Sequence, residues 1–194
     1  MSGTQQRKPG RPRSEQARRA ILAATLELAA EHGPRGIRMD AVAQRAGVSK
    51  ETVYRWWRSK SELLLEALAE RGERTIPVPD TGSLAHDLRK FLRATAASGD
   101  ETTRRILRAL AAEAATDQDT AALIRDKFLA RRRAALGELL DRAVARGELT
   151  QGDAAIALDL VYGSLWYRLI FAVAPLDNRW ADAVTRMIAA QRQA

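Results

Sequence analysis

The chain has 194 residues, with 32 Lys+Arg against 24 Asp+Glu for a net charge of +8, no cysteine, and only two histidines, His32 and His86. That length suffices for one or two small domains with a real core, and the missing residue types exclude a disulfide framework, a thiol nucleophile, an iron–sulfur cluster, a thiolate zinc site and a histidine-rich metal centre. The charge is uneven: residues 1–60 carry 13 Lys/Arg and 5 Asp/Glu, while residues 61–194 carry 19 of each, so the excess belongs to a polyanion-binding head on a neutral body.

Residues 1–13 are polar, with Pro9, Gly10 and Pro12, and read as a disordered basic arm. Ser14 is a plausible N-cap for a first helix, whose stripe is Ile21, Leu22, Thr25, Leu26, Leu28 and Ala29. Gly33-Pro34 stops it. A short helix follows over about 39–46, ended by Gly47. A third spans about 49–56, capped by Ser49, and a fourth starts near Ser59. Residues 72–82, with Gly72, Pro77, Pro79 and Gly82, read as a linker or helix break. Further helices are expected at about 83–97, 102–116, 119–146, 153–173 and 178–192, with Asp153 and Asp177 as caps and Gly147 ending the third of these. No strand-like alternation occurs. The predicted class is all-α, with an N-terminal helix-turn-helix unit over 14–72 and a helical C-terminal unit over 83–194.

The segment 40–57 has helix-turn-helix logic. Ala43 is small where two helices cross, Gly47 permits the turn, and Val48 and Val53 fill the space between. The second helix presents Ser49, Lys50, Thr52, Tyr54 and Arg55, groups that reach phosphates and base edges. In the arm, Arg11 and Arg13 flank Pro12 after Gly10. Gly-Arg-Pro among cations is similar to an AT-hook core, and an extended Arg-bearing strand fits a narrow minor groove.

Residues 154–174 are apolar nearly all round. A membrane span is disfavoured, because Asp159 and Arg168 would each cost about 2.5–3.5 kcal/mol near a bilayer centre. A helix apolar on every face is buried on every face. A partner subunit is the simplest cover, so a homodimer is expected through about 153–173 and 178–192, with Gly163 allowing close approach. A ligand pocket in the body would draw on Phe91, Leu92, Ile106, Leu110, Phe128, Leu136, Tyr162, Trp166 and Phe171; Phe91, Leu110, Phe128, Tyr162 and Trp166 are carried forward as contacts. Arg108, Glu113, Asp159 and Arg168 are possible polar anchors. Arg131-Arg132-Arg133 reads as a solvated face.

The stretch from Ala20 to Leu64 resembles the tetracycline-repressor family of bacterial transcriptional regulators. The matching residues are Ile21-Leu22-Ala23-Ala24 with Leu26 and Gly33, Val42-Ala43, Ala46-Gly47-Val48-Ser49, Thr52-Val53-Tyr54 and Ser59-Lys60-Ser61-Glu62-Leu63-Leu64. The resemblance implies a homodimer on a near-palindromic double-stranded operator, usually a repressor, released by a small-molecule effector. By position, Lys50 and Thr52 would touch bases or nearby phosphates, while Tyr54 and Lys60 would touch the backbone. Three departures stand out. Arg38 sits where a capping Thr is common and would contact phosphate by charge. Trp56-Trp57 replaces His-Phe. Glu51 occupies a position often held by a small residue. The expected protein is a cytoplasmic, non-enzymatic, sequence-specific regulator with no metal or cofactor. The competing reading is an architectural DNA-coating protein without an effector.

Overall fold

The computed structural model describes residues 11–190, with side chains from residue 15 onward. Among the described residues there are ten α-helices and no strand: α1 Arg11–Gly36, α2 Met39–Arg45, α3 Lys50–Trp56, α4 Lys60–Thr75, α5 Leu84–Ser98, α6 Glu101–Ala114, α7 Gln118–Ala122, α8 Ala130–Ala145, α9 Gln151–Phe171 and α10 Asn178–Ala189. A π-helical turn, Leu123–Leu129, joins α7 to α8, so the long helix expected over 119–146 is continuous but locally widened.

Local chemistry explains most of the boundaries. Ser49, Ser59, Ser83, Asp100, Asp117 and Asp177 each accept a bond from a backbone amide in the first turn of the helix that follows. Gly33 takes φ 72° and ψ 164°, which breaks the helical path of α1 as the Gly33-Pro34 pair predicts. Two expectations are corrected. The helix begins at Arg11 rather than at Ser14, so Arg11, Pro12 and Arg13 are helical and not part of an extended arm. Proline is tolerated there because the first-turn amides have no helical partner to lose. Residues 1–10, the remainder of the expected arm, lie outside the described residues. The second correction concerns α9. Its cap is Thr150, which exchanges bonds with Asp153 in a capping box: Asp153 is the reciprocal partner, not the cap.

Two apolar clusters hold the bundle. The first joins α1, α2, α3 and α4 to Ile106, Leu107 and Leu110 of α6 and to Leu169 of α9. The second joins Ile76 and α5 to α8, α9 and α10. The core beneath the helix-turn-helix therefore takes part of its volume from α6. Polar ties run the same way: Ser61 donates to Glu113 at 2.6 Å, Arg71 bonds Asp100 at 2.6 Å, and Lys127 bonds Glu62 at 2.6 Å. The segment expected as a linker is also pinned. α4 runs on to Thr75, and buried Asp87 accepts from the Thr81 amide at 2.9 Å and its hydroxyl at 2.7 Å.

Candidate nucleic-acid interface and ligand cavity

α2 and α3 form the helix-turn-helix. α2 ends with paired backbone bonds, Gly47 to Gln44 at 3.2 Å and Val48 to Ala43 at 3.0 Å. This is a Schellman closure, and Gly47 supplies its left-handed residue at φ 67°. Val42, Ala43 and Val53 are buried beneath it, so the opposite face of α3 turns outward.

On that face Lys50, Tyr54 and Arg55 are exposed and Thr52 is half-buried. The Ser49 hydroxyl accepts from the Thr52 amide at 3.3 Å and lies 3.1 Å from the Thr52 hydroxyl. The Lys50 ammonium sits 5.7 Å from the centre of the Tyr54 ring, a distance at which cation–π attraction holds both side chains on one ridge. Glu51 turns back on its own helix. Its own backbone amide and the Ser49 hydroxyl hold its carboxyl below the usual range. Trp57 is buried in the core, whereas Trp56 is exposed and stacks on it at 6.0 Å. Lys60 is half-buried at the first position of α4. Arg38 supplies no cap to α2; its guanidinium is held by Asp40 at 3.0 and 3.2 Å, and Asp40 accepts the Ala41 amide instead. Arg11 and Arg13 belong to the first turn of α1, and their side chains lie outside the described residues.

The body contains a cavity of about 90 Å³, walled mainly by Leu68, Ile76, Leu107, Phe128, Tyr162, Trp166, Leu169 and Leu176. Of the five contacts carried forward from the sequence, the structure brings Phe128, Tyr162 and Trp166 to this wall. Phe91 and Leu110 are fully buried core residues elsewhere: Phe91 lies in the second cluster and Leu110 in the first. All four suggested polar anchors are engaged away from it. Arg108 donates to the Leu169 carbonyl at 2.6 Å and Arg168 to the Pro175 carbonyl at 2.7 Å. Glu113 accepts from Ser61 and from Thr120 at 2.9 Å, and Asp159 is exposed beside Arg133 at 3.1 Å.

The polar residue of the cavity wall that sequence reasoning missed is Arg132. The three consecutive arginines do not share a face, because successive helical residues turn by about 100°. Arg131 pairs with Glu66 at 3.1 Å and Arg133 with Asp159, both at the surface. Arg132 between them is only 8% exposed and lines the cavity. Burial pushes its guanidinium pKa down, and burial likewise pushes the Tyr162 phenol up to about 12. The Tyr162 hydroxyl donates to the Arg132 carbonyl at 2.5 Å. A helical period counted from Leu136 and Leu139 would have placed Arg132 inward.

A second crevice, about 320 Å³, opens between the end of α3 and the π-helical turn, lined by Trp56, Trp57, Glu62, Lys127 and Phe128 among others. Phe128 thus borders both the crevice beside the helix-turn-helix and the body cavity. Nothing in the sequence announces the π turn.

A two-helix reading head with a polar outer ridge, set on a helical body, defines a DNA-binding transcriptional regulator rather than an enzyme. Residues 21–67 match the family model for bacterial regulatory proteins of the tetR family, and residues 78–188 match the tetracyclin repressor-like C-terminal domain. The uncharacterized HTH-type transcriptional regulator YdeS of Bacillus subtilis (strain 168) is 34% identical over 168 residues, covering 85% of this chain and 84% of its own. The HTH-type transcriptional repressor KstR of Rhodococcus jostii (strain RHA1) is 47% identical over 60 residues, 31% of this chain and 28% of its own. The crystal structure of the TetR family transcription regulator SCO0332 superposes with a TM-score of 0.81 at 32% identity, covering 90% of this chain and 97% of that one. The chain belongs to the tetracycline-repressor family of transcriptional regulators, whose members bind DNA operators and typically dimerise.

Proposed function

We propose that this regulator is a dimeric repressor, released from a near-palindromic operator by a small molecule that enters the body cavity. One observation carries the reading: α4 belongs to both halves of the machine. It begins with Lys60 beside the recognition helix and supplies Leu68, Arg71 and Gly72 to the cavity wall. A ligand that prefers one placement of α4 therefore biases the spacing of the two heads, and differential affinity for the two placements is all that release requires.

In this reading α3 lies in the major groove. Ser49, Lys50, Thr52 and Arg55 address base edges and adjacent phosphates. Tyr54, Lys60, Arg38 and the N-terminal Arg11 and Arg13 hold the backbone, with Arg38 sharing its guanidinium with Asp40. The pairing surface is formed by α9 and α10. The place of action is the cytoplasm, where the operator is. Although α9 has the length and hydropathy of a membrane span, it packs on α6, α8 and α10 as a bundle helix.

The test is enrichment of bound duplexes from a random pool at about 150 mM salt, where specific sites exceed non-specific ones by about 10³-fold or more. A two-fold symmetric consensus is the expected result. Binding without enrichment would favour the architectural reading.

A further inference from the structure

Arg132 makes none of the bonds that normally accompany a buried guanidinium. Its Nη2 atom is buried without a hydrogen-bond partner. Among the described residues no carboxylate lies within 4.0 Å of it, and none of its side-chain nitrogens donates a hydrogen bond. Its one close side-chain neighbour of note is the Phe91 ring, with the guanidinium carbon 5.7 Å from the ring centre. A buried arginine in this state is costly, because the attraction of Glu73, which lies beyond 4.0 Å, offsets only part of its desolvation.

The surroundings keep the guanidinium at the cavity rather than folding it away. Gly72 of α4 faces it: a Cβ at that position would come within 3.1 Å of Arg132 Nη1. Tyr162 fixes the backbone of Arg132 from the other side. The rest of the wall is largely apolar. The second cation of the lining, Arg71, is already committed to Asp100 at 2.6 Å and to Thr103 at 3.3 Å. The cavity therefore offers one positive charge without an ion pair, at the edge of an apolar space.

We propose that the effector is a small amphipathic carboxylic acid whose carboxylate pairs with Arg132 and whose apolar part fills the space beside Trp166, Leu107 and Leu169. The inference rests on the effector-release reading above and names the chemical class of the ligand. A planar guanidinium binds a carboxylate through two parallel N–H···O bonds, the strongest arrangement open to it. A single cation without an ion pair matches a single negative charge, which favours a carboxylate over a doubly charged phosphate ester. The volume, about 90 Å³, is below the 150 Å³ or so of an apolar cavity that accepts benzene, so the ligand is short.

The test uses the full chain and titration calorimetry with butanoate, hexanoate and benzoate, each beside its alcohol: butan-1-ol, hexan-1-ol and benzyl alcohol. At least one acid is expected to bind tenfold or more tightly than its alcohol. Arg132→Met should abolish that preference by weakening the acid far more than the alcohol, while Arg132→Lys, which keeps the charge without the fork, should fall between. Removal of the unpaired guanidinium should leave the thermal midpoint equal or raised. Acids and alcohols binding alike, or a preference that survives in Arg132→Met, would overturn the carboxylate proposal and leave the effector cavity standing. A clear fall in the Arg132→Met midpoint would show that the guanidinium is a structural strut and sink the proposal on that ground. Failure of every acid and every alcohol to bind the native chain would remove both the proposal and the cavity reading.

Discussion

Lys50 and Lys60 each occupy the first position of a helix, directly after a serine cap. A cation there opposes the positive helix end by about 0.3–1 kcal/mol, so both residues break a local rule. A polyanion resolves the conflict, since helix N-terminus and ammonium then attract the same phosphate. The proposed division of labour on α3 can be separated by two substitutions. Tyr54→Phe keeps the ring beneath Lys50 and removes only the hydroxyl. It should weaken binding by about 0.5–1.5 kcal/mol on every duplex alike. Thr52→Ala should instead cost about 1–3 kcal/mol on the preferred site and flatten the preference at one base pair. Both are read from affinities on the enriched duplex and on its single-base variants. A Tyr54→Phe protein with altered base preference would contradict the assignment.

Helix by helix, caps and glycines carried most of the boundary information. Gly33 is the clearest case: its φ of 72° is open to glycine but strained for an L side chain, and an added Cβ would also meet the Arg105 guanidinium at 2.6 Å. Gly33→Ala should therefore lower stability by about 1–2 kcal/mol, seen as a reduced urea midpoint with an unchanged slope. A midpoint that stays put would mean that the break near the end of α1 relaxes freely. What the sequence could not show has equally local causes. The π-helical turn adds no distinctive residue type, since Leu123–Leu129 is as periodic as the helix around it. Phe91 and Leu110 carry the same apolar signal as Phe128 and Trp166, and only tertiary packing decides which of them borders empty space. The triple arginine is one charge run by composition but three faces by helical phase: its outer members bond Glu66 and Asp159 at the surface, and its middle member turns inward.

At the scale of the whole molecule the unfinished feature is the outer face of α9. Ile156, Leu160, Tyr167 and Phe171 are exposed along one helical stripe, and Phe171 reaches 69% exposure. Gly163 lies in the same stripe, with nothing within 4 Å of where a Cβ would stand, so a second backbone can approach there. Met187 of α10 is also exposed. Each large side chain covered by a partner contributes about 1.5–3 kcal/mol, and four per subunit on a two-fold axis are enough to hold a stable pair. A single chain presents one reading head with short reach, so joining two heads multiplies affinity for a two-fold site by effective concentration, about 10²–10⁴-fold. The double substitution Leu160→Asp, Phe171→Glu places four like charges across the proposed seam without touching either apolar cluster. It should sediment as a monomer with an unchanged helical spectrum, and its affinity for a symmetric operator should fall by about a hundredfold or more. Binding to an isolated half-site should barely change, because the heads themselves are intact. A variant that still sediments as a dimer would place the seam on another face, and a monomer with full operator affinity would detach dimerisation from recognition altogether.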